Sequence, residues 1–77
     1  MTDRLAVVRA AAVIRALERA GFAISRTSGS HCRLVHSTDP ARKVTIPFHG
    51  ATGLNRGTLR SIIAQAGLTV AEFAALL

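Results

Sequence analysis

The chain has 77 residues, enough for one domain, and its hydrophobic fraction of 49% excludes an intrinsically disordered protein. The formal net charge of +6 comes from ten basic residues, nine of them arginine, against four acidic ones. This excess indicates a polyanionic partner such as nucleic acid, or an acidic protein, unless the arginines are solvated charges that reflect genome composition alone.

The first predicted element is a helix over about residues 3–20, with apolar side chains at helical spacing. Gly21 followed by Phe22 is the pattern of a helix C-terminus, so we expect the helix to end there. Its start has two interpretations: Thr2 or Asp3 caps the helix, or the residues before Ala10 are frayed.

Three short strands follow in the chain, and they are predicted over residues 22–27, 30–36 and 43–48. Ser28 and Gly29 form the turn between the first two strands, and a polar loop precedes the third. The third strand alternates between polar and apolar residues. Its predicted core-facing residues are Val44, Ile46 and Phe48.

A loop over residues 49–55 precedes a second helix over residues 56–66, for which Asn55 is the predicted N-cap. The apolar residues of this helix fall on one face: Leu59, Ile62, Ile63 and Ala66. Thr69 and Glu72 have the spacing of a capping box, which predicts a short last helix. The side chains of that helix expected to point inward are Phe73, Leu76 and Leu77.

The order of these elements defines the predicted fold class. Strands joined by short connections form an antiparallel meander, and helices before and after it pack on one of its faces. We therefore predict an α+β fold with the layout of the double-stranded-RNA-binding domain: one helix, a three-stranded antiparallel sheet, and one to two C-terminal helices.

Cysteine content and hydropathy predict the compartment. Cys32 is the only cysteine, so an intrachain disulfide is excluded and a reducing compartment fits. No apolar run approaches the ~20 residues of a membrane span, and arginines interrupt the N-terminal stretch where a signal peptide would be apolar. We expect a cytoplasmic protein with no contact to membranes.

The acidic residues and the cysteine offer little for metal binding. The four carboxylates are scattered along the chain, whereas a two-metal nuclease needs several of them to converge. Cys32 and the three histidines have no recognised zinc-ligand spacing. We therefore expect no metal and no other cofactor.

Histidine is the remaining candidate for catalysis, because the imidazole titrates near neutral pH and can exchange protons with a reacting group. His31 follows the Ser28-Gly29-Ser30 turn, where a glycine lets a phosphate backbone approach closely. Alternation turns Cys32 to the core and places His31 beside Arg33 on the opposite face. The alternative is a turn histidine without a role.

Further candidates flank this position. His49 follows the third strand and is either a second proton-transfer group or a loop histidine that caps the strand end, whereas His36 is expected to be structural. Arg56 and Arg60 lie at the start of the second helix, where phosphate binding competes with simple solvation as their role. Single-stranded RNA is commonly bound by stacking its bases on exposed aromatic rings, but the phenylalanines here are expected in the core. Recognition of RNA should therefore depend on its backbone and shape, with weak reading of the bases.

An ordered set of motifs resembles the HicA (YcfA-like) mRNA interferase toxins over about residues 10–77. The motifs are Gly21-Phe22, Arg26, Gly29-Ser30-His31, Val44-Thr45-Ile46-Pro47-Phe48-His49-Gly50, Gly57-Thr58-Leu59-Arg60-Ser61-Ile62, Ala66-Gly67-Leu68 and Glu72-Phe73. The resemblance implies a single toxin domain over residues 1–77, with a fold like that of the double-stranded-RNA-binding domain. It also implies metal-independent cleavage of mRNA and a cognate HicB antitoxin that covers the active face.

The resemblance places the catalytic histidine of the family on His31. We predict that His31 is the general base or acid and that His49 is a candidate second group. The residues predicted to contact RNA phosphate are Arg26, Ser30, Arg33, Lys43, Arg56 and Arg60, with Gly29 in the turn. The alternative function is a non-catalytic double-stranded-RNA-binding module. A third possibility, a protein-interaction unit whose basic face meets an acidic partner, is compatible with the endoribonuclease hypothesis.

Overall fold

The computed structural model describes residues 8–47 and 53–77. Within them, three helices and five strands follow one another along the chain. In chain order they are β1 (Val8–Arg9), α1 (Ala10–Arg19), β2 (Phe22–Ser28), β3 (His31–His36), β4 (Lys43–Pro47), β5 (Gly53–Leu54), α2 (Arg56–Gln65) and α3 (Val70–Leu76).

The main sheet is a three-stranded antiparallel meander in the order β2-β3-β4. β1 and β5 form a separate antiparallel pair. α1 and α2 contact the main sheet, and α3 packs against both of these helices. The predicted α+β fold, with a helix, a three-stranded antiparallel sheet and C-terminal helices, is confirmed and has the layout of the double-stranded-RNA-binding domain.

The first helix is shorter than predicted. α1 begins at Ala10 because Val8 and Arg9 are extended and pair with Leu54 and Gly53. Arg9 occupies the N-cap position with φ −78° and ψ 149°, and its side chain makes no capping bond. The predicted helix over residues 8–9 and the predicted loop over residues 53–54 are therefore wrong, while Thr2 and Asp3 lie outside the described residues.

The other helix ends follow the predicted signals. Gly21 and Gly67 have φ of +100° and +74°, the left-handed conformation that glycine adopts after a helix. The Asn55 side chain accepts a hydrogen bond of 2.8 Å from a backbone N–H in the first turn of α2. Thr69 and Glu72 exchange the two hydrogen bonds of the predicted capping box, at 2.8 and 3.0 Å.

The core lies between the helices and one face of the main sheet. The sheet contributes side chains that are almost fully buried, namely Cys32, Leu34, Val44 and Ile46. Phe73 of α3 is fully buried, and Leu76 is half-buried. Leu77 was expected inward but is 45% exposed, because α3 ends at Leu76. Phe48, also expected in the core, lies outside the described residues.

Arg42 connects the loop before β4 to the end of α2, a role that the sequence patterns did not predict. Its Nε and Nη2 atoms both donate to the carbonyl oxygen of Ala66, at 2.9 and 2.6 Å. Its guanidinium carbon also lies 5.4 Å from the ring centroid of Phe22. The side chain thus satisfies a carbonyl that the helix end leaves without an intrahelical partner and stacks on the core at the same time.

Candidate active site

A tight hairpin positions His31 at the first residue of β3. Ser28 ends β2 and pairs directly with His31, so only Gly29 and Ser30 form the turn. Gly29 has φ +56°, and a glycine with positive φ at the first turn position is typical of two-residue hairpins. A Cβ atom at Gly29 would have no heavy atom of the described residues within 4 Å, so the turn is open on that side.

The alternation of β3 separates the core from the candidate site. Cys32 and Leu34 are buried, at 3% and 0% exposure, whereas His31 and Arg33 are exposed on the opposite face. The sequence prediction for this strand is therefore confirmed in its geometry. An imidazole in solvent can reach a large ligand, which an imidazole in the core could not.

A β-bulge in β2 brings Arg26 to the same face. Ile24 pairs with Leu34 and Arg26 pairs with Arg33, so Ser25 is an extra residue without a partner in β3. Regular alternation would put Arg26 on the same face as Ile24 and its buried partner Leu34, although Ile24 itself is 48% exposed. The bulge reverses this, and Arg26 therefore lies directly opposite Arg33 on the open face.

These residues form a shallow depression of about 330 Å³ on the open face of the sheet. The described residues that line it are Arg26, Ser28, His31, Arg33 and Thr45. They include two guanidinium groups and no carboxylate. Like charges directly opposite each other destabilise a strand pair, so an anion bound between Arg26 and Arg33 would relieve their repulsion.

Of the predicted site residues, Arg26, His31 and Arg33 are thus brought together. Ser28 and Thr45 were not predicted as site residues. Alternation along the third strand indicates the open face for Thr45, but only the strand register places it opposite Arg33. The remaining candidates do not line this depression. Ser30 is half-buried in the turn, Lys43 is exposed at the far end of β4, and Arg56 and Arg60 are exposed on α2. His49 lies outside the described residues.

His36 has a structural environment, in agreement with its prediction. Its ring packs edge-on against Phe22, with 5.0 Å between the ring centroids. Its Nδ1 atom accepts a hydrogen bond of 3.2 Å from the backbone N–H of Thr38. The ring also lies close to Gly21, where an added Cβ atom would approach Nε2 to 3.0 Å. His36 therefore packs the end of β3 and lies away from the depression.

Residues 8–47 and 53–77 contain neither a cluster of metal ligands nor a single helix that could span a membrane. No three His, Cys, Asp or Glu side chains of these residues form a group that could hold a metal ion. No single helix among them is long and apolar enough to cross a membrane. α2 and α3 reach that length and composition only as a pair, and the chain bends by 96° between them.

Comparison with known families identifies the class of protein to which this fold and depression belong. A family model described as "HicA toxin of bacterial toxin-antitoxin" matches residues 10–68. The chain therefore belongs to the HicA toxin family and is a toxin of a toxin–antitoxin system, which implies a cognate antitoxin as its partner. A search of curated proteins found no match.

Proposed function

We propose that this toxin is a metal-independent endoribonuclease that cleaves mRNA, with His31 as its catalytic residue. The observation that carries the proposal is an exposed imidazole that shares one depression with two guanidinium groups. An RNA strand supplies its own nucleophile, the 2′-hydroxyl, so the protein has to move protons and stabilise the charge on phosphorus. The side chains of the depression are suited to these two tasks.

In the proposed step, the 2′-oxygen forms a bond to the adjacent phosphorus while the bond from phosphorus to the 5′-oxygen breaks. The 2′-hydroxyl proton goes to a general base, and the leaving 5′-oxygen takes a proton from a general acid. His31 serves as one of these groups, and His49 is the candidate for the other. Arg26 and Arg33 donate N–H bonds to the non-bridging oxygens, whose negative charge increases in the transition state.

The other predicted phosphate contacts extend the RNA path beyond the depression. Lys43 precedes Thr45 by two residues and lies on the same open face of β4. Ser30 and Gly29 lie beside His31 in the turn, where the open side admits a backbone. Arg56 and Arg60 lie on the first turns of α2, where basic side chains add to the attraction of a helix N-terminus for phosphate.

We propose that the cognate antitoxin is of the HicB type and neutralises the toxin by covering the open face in the cytoplasm. Bringing Arg26 and Arg33 together creates local positive charge, and the whole chain carries +6. An acidic surface on the antitoxin would complement this charge and exclude RNA from His31. Binding to the folded toxin would also raise its melting temperature by mass action.

Cleavage of a synthetic RNA in excess chelator tests the proposed function. We expect the toxin, purified free of antitoxin, to cut the RNA with EDTA present and to leave DNA of the same sequence intact. RNA that stays whole until magnesium is added would contradict the proposal. Tight binding of duplex RNA without cleavage under either condition would instead support a non-catalytic binding module.

A further inference from the structure

A second depression, of about 460 Å³, lies between β4 and α2 and shares His31 and Thr45 with the first. Its volume is within the range of small-molecule sites. The wall from the sheet includes the ring of Pro47, and the wall from the helix includes Thr58, Ser61 and Gln65. We call this depression the β4–α2 groove.

The chemistry of the β4–α2 groove differs from that of the first depression. Apart from His31, none of the described residues that line it has an ionisable side chain. The helix side offers hydroxyl and amide groups, and the sheet side offers the flat surfaces of Pro47 and the imidazole. Such a mixture suits a neutral, planar group with polar edges, whereas the two arginines of the first depression suit a phosphate.

Two hydrogen bonds orient the Gln65 amide in this groove. Its Oε1 atom accepts a hydrogen bond of 3.2 Å from the backbone N–H of Thr45 on the outer edge of β4. Its Nε2 atom donates to the Ser61 hydroxyl at 3.3 Å. An amide nitrogen has two N–H donors, so the second donor and the Ser61 hydroxyl proton are available to a ligand as a neighbouring pair.

We propose that the β4–α2 groove binds the base of a nucleotide next to the scissile phosphate, and that Ser61 and Gln65 determine which base is preferred. This inference rests on the proposed function, because it assumes that RNA is the substrate. Two neighbouring donors match a base edge with two neighbouring acceptors. Guanine has such an edge at O6 and N7, and cytosine has one at O2 and N3; adenine and uracil present donors and acceptors alternately.

Cleavage of matched RNA oligonucleotides tests the groove. Each oligonucleotide differs only in the base on the 5′ or 3′ side of the cut, and the ratio of rates among the four bases is measured within each protein variant. For the wild type, we expect the oligonucleotides with guanine or cytosine at one of these positions to be cut about tenfold faster than the one with uracil. One or two hydrogen bonds are enough for a difference of this size. Ser61→Ala should reduce this ratio several-fold.

Gln65→Glu tests the proposal more directly, because it changes the expected base preference. Glutamate keeps an acceptor for the Thr45 N–H and replaces the Nε2 donor of Gln65 by a second acceptor. The carboxylate also accepts the Ser61 hydroxyl proton, so the preference should shift away from edges with two neighbouring acceptors and toward edges that present an amino group at that position. The added negative charge lowers every rate, but the ratio among bases within the variant is unaffected by a uniform loss. Both residues are exposed, so folding should be retained and is checked by the melting temperature.

Ser37→Ala is the matched control, since Ser37 is exposed after the far end of β3 and should leave the ratio unchanged. Equal cutting of all four bases by the wild type, or an unaltered ratio in both groove variants, would overturn the groove assignment and leave the nuclease proposal intact. RNA that the wild type does not cut at all would overturn both.

Discussion

Replacing His31 with alanine should lower the rate of RNA cleavage by about 10²–10⁴-fold, the usual contribution of a positioned acid or base. The loss should occur without unfolding, because His31 is exposed and its side chain supports no part of the core. Single-turnover cleavage of one RNA at saturating toxin measures the rate. Expression without antitoxin should give the same result in cells: growth arrest by the wild type and continued growth with the variant.

Thr27→Ala is the matched control for this prediction. Thr27 is exposed near the same end of the sheet, but it pairs with Cys32 and so lies on the face opposite His31. The Thr27→Ala protein should cleave RNA at the wild-type rate and keep the wild-type melting temperature. A folded His31→Ala protein that still cleaves RNA and still arrests growth would show that His31 is not catalytic.

Phe73→Ala should destabilise the domain by about 3–5 kcal/mol, the usual cost of truncating a buried phenylalanine. Phe73 is fully buried and is one of the largest buried side chains. Small domains have stabilities near the lower end of the common range of about 5–15 kcal/mol, so much of this protein would unfold. Urea denaturation followed by circular dichroism measures the change in the free energy of unfolding.

Val70→Ala provides the control on the same helix, since Val70 is 41% exposed and should change stability by less than about 0.5 kcal/mol. The family match ends at Leu68, although the core continues into α3 through the buried Phe73. A chain truncated after Leu68 should therefore lose its cooperative transition. A Phe73→Ala protein as stable as Val70→Ala would mean that α3 contributes little to the core.

Local signals predicted most of the fold. Glycines after helices, the Asn55 cap and the Thr69–Glu72 capping box depend on residues close together in sequence, and each was confirmed. The sequence leaves two starts for α1 open, and neither includes the observed pairing of Val8 with Leu54, far away in the chain. An alanine-rich run has high helix propensity, and nothing local indicates that a distant strand will compete for its first residues.

The candidate site was predictable from the sequence only where its residues follow a local pattern. Period-two alternation correctly placed His31 and Arg33 on the open face. It could not place Arg26, because the bulge at Ser25 reverses the alternation and a bulge leaves no clear local pattern. The position of Thr45 opposite Arg33 depends on strand register, and the β4–α2 groove depends on helix packing, neither of which has a local sequence pattern.

The most direct test of the central claim is to substitute a single 2′-deoxynucleotide at a mapped cleavage position in an otherwise unchanged RNA. If His31 promotes attack by the 2′-hydroxyl, cleavage at that bond should stop while other sites are still cut. The unmodified RNA should yield 2′,3′-cyclic phosphate and 5′-hydroxyl ends. Cleavage that continues at the deoxy position, or products with 5′-phosphate ends, would contradict the account.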